Sequence, residues 1–134
     1  MTALTAIEGI GDVYMGKLKE AGIDSLESLL EKCTTPAGRT ALADSSGISG
    51  KLILKWANRA DLARVKGIGT QYADLLEVAG VDTVPALARR VPENLLKAMA
   101  DANDQRKTVN RLPTIGQVED WVNQAKDLPR VLTY

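Results

Sequence analysis

Apolar residues along the chain recur every three or four positions in short runs, and glycine or proline interrupts each run before it grows long. Tyr14, Leu18 and Ala21 share one face, with Met15 beside them and Lys17, Lys19 and Glu20 outside, and Gly22 stands where a left-handed helix stop belongs. Asp24 with Glu27 three residues on forms a capping-box pattern and starts a second helix through Leu26, Leu29 and Leu30. Thr35-Pro36 starts a third, which turns Ala41 and Leu42 inward and stops before Gly47. Ser49 caps a fourth that carries Leu52, Ile53 and Trp56. Strict alternation is missing throughout, so the pattern predicts an all-α chain with no sheet.

The second half follows the same plan. Gly69 and Thr70 open a helix with Tyr72, Ala73, Leu76 and Ala79, and Gly80 closes it. A connector follows from Asp82 to Leu87 with Pro85 in its first turn, and Pro92 starts a helix through Leu95, Leu96 and Met99. A polar insertion, Asp101 to Arg111, separates that helix from Pro113-Thr114, which start the Trp121 helix; the tail from Leu128 to Tyr134 is expected to lie extended against the body. Shifted by 58 positions, Ile7-Glu8-Gly9-Ile10-Gly11 falls on Val65-Lys66-Gly67-Ile68-Gly69, Tyr14 on Tyr72, Leu18 on Leu76, and Ala21-Gly22-Ile23-Asp24 on Ala79-Gly80-Val81-Asp82. After a length change, Trp56-Ala57-Asn58-Arg59-Ala60 matches Trp121-Val122-Asn123-Gln124-Ala125. The reading is a unit of about sixty residues present twice, at 1–62 and at 63–134 with the tail; whether the two pack as one domain stays open.

Composition narrows the function classes. Lys plus Arg and Asp plus Glu number 17 each, giving zero net charge, and neither half is basic: seven basic residues against eight acidic before residue 63, ten against nine after it. A dedicated DNA-coating protein draws most of its affinity from a positive excess, so nucleic-acid binding here must depend on a few well-placed cations and backbone groups. Cys33 is the single cysteine and histidine is absent, which removes an internal disulfide, the usual zinc nitrogen ligands and the usual near-neutral base. No acidic pair recurs at two-metal spacing, and Gly-Ile-Gly lacks both the third glycine of a dinucleotide fingerprint and the Gly-Lys-Ser of a phosphate loop. The chain is therefore expected not to be an enzyme. No signal-like start or membrane-length run is present, which predicts a cytoplasmic protein without a membrane partner.

Gly9-Ile10-Gly11 and Gly67-Ile68-Gly69, each followed by an aromatic, a leucine and then Ala-Gly with an aliphatic, resemble the helix-hairpin-helix motif of DNA repair and replication proteins. The whole chain, including Thr35-Pro36-Ala37-Gly38-Arg39, the two Trp helices and the Leu-Pro end, resembles a bacterial family of tandem helix-hairpin-helix proteins, a domain of unknown function. The resemblance implies glycines that turn with positive φ, and a following helix whose unpaired N–H groups and positive dipole end face a phosphate. The residues it points to are Gly9 and Gly11 in the first hairpin and Gly67 and Gly69 in the second, with Thr70 and Gln71 as donors and Lys17 and Lys66 as the nearest cations. The cluster of Arg106, Lys107 and Arg111 in the insertion reads first as a solvated loop and second as a further electrostatic contact, with Arg106 and Lys107 as the candidate residues. Such contacts grip the backbone of DNA without reading sequence. Two hairpins on one face would hold a strand each. No cofactor is expected, except a monovalent cation at a hairpin by analogy alone.

Against this stand plainer readings. A Gly-Ile-Gly turn also serves as a compact corner with Ile10 or Ile68 as a core plug, and Tyr14, Tyr72, Trp56 and Trp121 read first as packing residues. Asp12 directly follows the first glycine pair, where a carboxylate caps its own helix and repels a phosphate. The alternative function is a protein-interaction or scaffold module that keeps the fold without the phosphate site. The electrostatics make the second turn, Lys66 to Gln71, the better candidate.

Overall fold

In a computed structural model, residues 3–7 and 9–134 are described, Thr70 in its backbone only. Among them the chain is all-helical: a 3₁₀ turn at Leu4–Ala6 precedes α1 (Asp12–Glu20), α2 (Leu26–Lys32), α3 (Pro36–Ser46), α4 (Gly50–Leu62), α5 (Thr70–Val78), α6 (Val84–Ala88), α7 (Pro92–Gln105) and α8 (Ile115–Asp127), and no strand is present. No helix among them is long and apolar enough to cross a membrane. The chain divides into two compact units, Met1–Asp61 with Val131–Tyr134, and Leu62–Arg130.

In the first unit, α1 ends in a Schellman arrangement: Ile23 N–H donates to Leu18 O at 2.9 Å and Gly22 N–H to Lys19 O at 3.0 Å, with Leu18 and Ile23 both fully buried. The start of α1 differs from expectation, because the N-cap is Gly11 and Asp12 is the first helical residue, an exposed carboxylate near the positive end of the dipole. The start of α2 also differs. Ser25 is the N-cap, and it exchanges hydrogen bonds with Ser28: Ser28 N–H donates to Ser25 Oγ and Ser25 N–H to Ser28 Oγ, both at 3.1 Å. Asp24 lies one residue too early for that geometry and instead accepts from Ser28 Oγ at 3.3 Å. Thr35 caps α3, with Pro36 in its first turn, as the sequence predicts.

Ala41, expected inside, is exposed, and α3 buries Arg39 and Leu42. The burial of Arg39 is possible because its guanidinium is satisfied, donating to Cys33 O at 2.8 Å through Nη1 and to Thr133 O at 2.7 Å through Nη2. Residues 131–134, read from sequence with the second unit, group with the first: Leu132 is 2% exposed and belongs to the core of Leu18, Ile23, Leu29, Ile53 and Trp56. Cys33 lies in the same core, where burial pushes its thiol up to about 11 from an ordinary 9.0 against a smaller lowering by Arg39. The unfolded thiol ionises first as pH rises from 9.0 towards 11, so this contribution to stability is present below that window and lost across it. At pH 8 a thiol reagent is expected to leave the native chain unlabelled over the time in which the urea-unfolded chain reacts completely; rapid native labelling, followed by absorbance, would contradict the buried placement.

In the second unit, α5 ends as α1 does, with Val81 N–H to Leu76 O at 2.8 Å and Gly80 N–H to Glu77 O at 3.0 Å. Thr83 caps α6, and Thr114 caps α8 in a box with Gln117. The insertion expected at 101–111 is helix for half its length: Leu95, Met99 and Ala102 carry a buried stripe past Asp101, so α7 continues to Gln105 with polar residues on its outer face. The loop that follows is ordered by Asn103, whose Oδ1 accepts from Thr108 N–H at 2.8 Å and Val109 N–H at 3.1 Å while Nδ2 donates to Val109 O at 3.2 Å. Val109 anchors that loop in the core, where α8 packs on α6 and α7 and carries Trp121, 1% exposed.

Candidate nucleic-acid interface

The two Gly-Ile-Gly turns have the same backbone. Ile10 N–H donates to Ile7 O and Ile68 N–H to Val65 O, each at 3.3 Å, and Ile10 and Ile68 both plug the core of their own unit, 4% and 6% exposed. The compact corner is thus present at both turns, and the glycines either side of each isoleucine remain exposed. Gly9 (φ +96°) and Gly67 (φ +99°) occupy the left-handed half of conformational space, as the motif predicts. Gly11 (φ −91°) and Gly69 (φ −89°) do not; they are extended N-caps of α1 and α5, a conformation open to any residue.

What glycine contributes at 11 and 69 is the absence of a side chain. A Cβ at either position would meet nothing within 4 Å, so neither packing nor backbone demands glycine there. Four other helices are closed at their N-termini by their own Ser or Thr: Ser25, Thr35, Thr83 and Thr114 each accept from a first-turn N–H. Among the described residues, the N-caps of α1 and α5, like Val91 of α7, supply no side-chain hydrogen bond to their helix, at the positive end of its dipole.

The second turn is the more firmly built. The Gln124 amide holds both polar groups of Lys66, accepting from its N–H at 2.8 Å and donating to its carbonyl at 3.0 Å, and Gln124 is itself fixed by donating to Asp120 Oδ2 at 2.8 Å. Gly67 lies against the indole of Trp121, and Tyr72 packs on the same ring with centroids 5.2 Å apart. The Tyr72 hydroxyl donates to Arg111 O at 3.3 Å, which brings the end of the α7–α8 loop alongside α5. Between them runs an open groove of about 440 Å³ lined by Gly67, Gly69, Gln71, Tyr72, Asn110 and Arg111.

Of the residues selected from sequence, the groove therefore gathers Gly67, Gly69 and Gln71, with exposed Lys66 adjoining them in the chain. The side chain of Thr70 lies outside the described residues. Arg106 and Lys107 are exposed but do not line the groove; Arg111 and Asn110, further along the same loop, do. In the first unit Gly9 and Gly11 are exposed, and the half-buried Lys17 stands with Nζ 6.0 Å from the centroid of Tyr14. Tyr14 packs edge-on to Trp56, centroids 5.1 Å apart, as Tyr72 packs on Trp121. Sequence reasoning did not select Asn110 or Gln124, and it took Arg111 only as one member of the basic cluster in the insertion. Arg111 carried a signal as a cation in the insertion, whereas the clamp by Gln124 across 58 positions carried none. Among the described residues no group of three or more His, Cys, Asp or Glu side chains is placed to hold a metal ion.

Residues 8–128 match the family described as a domain of unknown function (DUF4332). No curated protein and no solved structure matches the chain.

Proposed function

The chain belongs to the DUF4332 family, and within that family we propose that it acts as a non-catalytic, cytoplasmic module of two helix-hairpin-helix units that binds DNA through backbone phosphates without reading sequence. The observation that carries this reading is the N-terminus of α5, where Gly69 supplies no capping side chain and lines a groove together with Arg111, with Lys66 next to Gly67 in the chain. Helix N-terminal donors suit an anion, and two cations beside them supply the charge-assisted bonds a phosphate takes most strongly. The groove volume falls within the range of small-ligand sites, enough for one nucleotide unit against the hairpin. Asp12 makes the first hairpin the weaker partner, since its carboxylate sits in the first turn of α1 where an anion would approach.

Zero net charge sets the expected strength. With roughly two phosphates neutralised, the logarithm of the binding constant should fall against the logarithm of salt with a slope on the order of −2. Labelled duplex and single-stranded DNA titrated at low salt test this. Saturable binding that Gly69→Glu, Lys66→Glu and Arg111→Glu each weaken at least about tenfold, the equivalent of 1.4 kcal/mol, is the expected result. Gly69→Ser is the informative companion: it should raise stability by a few tenths of a kcal/mol through capping while weakening DNA binding, because the new hydroxyl covers the donors. Absence of binding at low salt, or variants that bind as the wild type does, would remove the phosphate reading and leave an interaction module.

A further inference from the structure

The first unit carries a second constructed surface, unrelated to either hairpin, and the chain's own residues 131–134 lie on it. Leu132 is 2% exposed within the core of that unit. The backbone of Thr133 is held from both sides: its N–H donates to Thr34 O at 2.8 Å, and its carbonyl accepts from Arg39 Nη2 at 2.7 Å. Its hydroxyl donates to the same Thr34 carbonyl at 3.0 Å. Tyr134 lays its ring 5.4 Å from the Arg39 guanidinium carbon and donates its hydroxyl to Asn58 Oδ1 at 2.6 Å. The receiving groups come from the α2–α3 link, from α3 and from α4, and their central member, Arg39, is 8% exposed and fixed at its other nitrogen by Cys33 O at 2.8 Å.

These features are those of peptide recognition: a backbone outside helix or strand read by a carbonyl and a guanidinium, one apolar side chain in a pocket, and an aromatic placed over a cation. The bound segment has no helix or strand of its own and buries one large side chain fully, while Thr133 and Tyr134 remain exposed. Segments held by few buried contacts and by solvent-exposed hydrogen bonds open without global unfolding. We propose that Val131–Tyr134 is a detachable strap, and that the slot beneath it, formed by Thr34, Arg39 and Asn58 over the Leu132 pocket, recognises this same Leu-Thr-Tyr segment when it is supplied in trans. The covalently attached copy competes at high effective concentration and keeps the slot closed until it is displaced.

The test uses the full chain with Leu132→Asp, which removes the buried anchor of the strap, and a fluorescently labelled peptide of residues 129–134, followed by anisotropy. The peptide is expected to bind the variant saturably and the wild type at least about tenfold more weakly, and a peptide carrying the same Leu132→Asp change is expected not to bind. Circular dichroism accompanies each titration. A variant of wild-type helicity that fails to bind the peptide overturns the proposal, as does a variant that has lost helicity which the peptide does not restore. Equal binding to wild type and variant also overturns it, because the peptide would then be bound away from the slot.

Discussion

Gly67→Ala is expected to destabilise the second unit by about 2–5 kcal/mol, at least twice the loss from Gly9→Ala in the first. The two positions share a backbone, φ +99° and +96°, so an added Cβ meets the same intrinsic penalty at both, about 1–2 kcal/mol. Their surroundings differ. A Cβ at Gly9 would meet nothing within 4 Å, whereas at Gly67 it would stand 2.8 Å from Trp121 Nε1. That indole is 1% exposed and packed against Tyr72, so it has no empty space to move into, and forcing a methyl into a filled interior costs a further 1–3 kcal/mol or so. Gly69→Ala supplies the control, with φ −89° and open space at its Cβ, and should cost no more than about 1 kcal/mol, the loss expected from alanine as the poorer N-cap. Urea unfolding of the three variants decides the matter: equal losses at positions 9 and 67 would mean that the indole yields and that the turn is less tightly backed than its geometry implies.

That difference between two near-identical turns shows where sequence reading stops. Glycine stops, proline starts and three-to-four-residue spacing are local properties, and they located α1 to α6 because each helix is decided mostly by residues within itself. Neighbouring polar residues are harder to rank. Asp24 and Ser25 are both good caps, and the choice of Ser25 follows from a reciprocal bond with Ser28 that an acidic residue at 27 does not make. The end of α7 was concealed by composition: a helix needs an apolar residue only once per turn, so Met99 and Ala102 sufficed to carry it through Asp101 and Asp104. Nothing in the sequence marked Arg39 for burial, because burial of a guanidinium depends on carbonyls at Cys33 and Thr133, the second of them 94 positions away.

The candidate site divides in the same way. Its floor, Gly67 to Gln71, was visible because a turn's chemistry is written in consecutive residues. Its wall was not, because Asn110 and Arg111 reach the groove only through the path of a loop that Asn103 and the buried Val109 dictate. Charge clustering pointed to Arg106, Lys107 and Arg111 together, and of these Arg111 lines the groove.

Trp121→Ala should be the most damaging single change in the second unit, about 3–5 kcal/mol. The side chain is among the largest fully buried ones in the molecule, and it links three features: the α8 face packed on α6 and α7, the ring of Tyr72, and the backbone of Gly67. Truncation therefore creates a cavity and also removes the surface against which Gly67 lies. Against a typical domain stability of about 5–15 kcal/mol, the unit would be left marginal at ambient temperature. Trp56→Ala should cost a similar amount in the first unit, where the indole is 1% exposed and packs on Tyr14. The remaining tryptophan in each variant gives a fluorescence signal from the other unit, and circular dichroism reports the whole chain. Trp121→Phe separates the two contributions. It retains an aromatic ring for Tyr72 but leaves space beside Gly67, so most of the stability should return while Gly67→Ala becomes less costly in its presence. That reduction, measured as a double-mutant cycle, should be on the order of 1–2 kcal/mol; strictly additive losses would show that the indole and the hairpin are not in contact energetically, and the account of the second turn as held rigid by Trp121 would have to be given up.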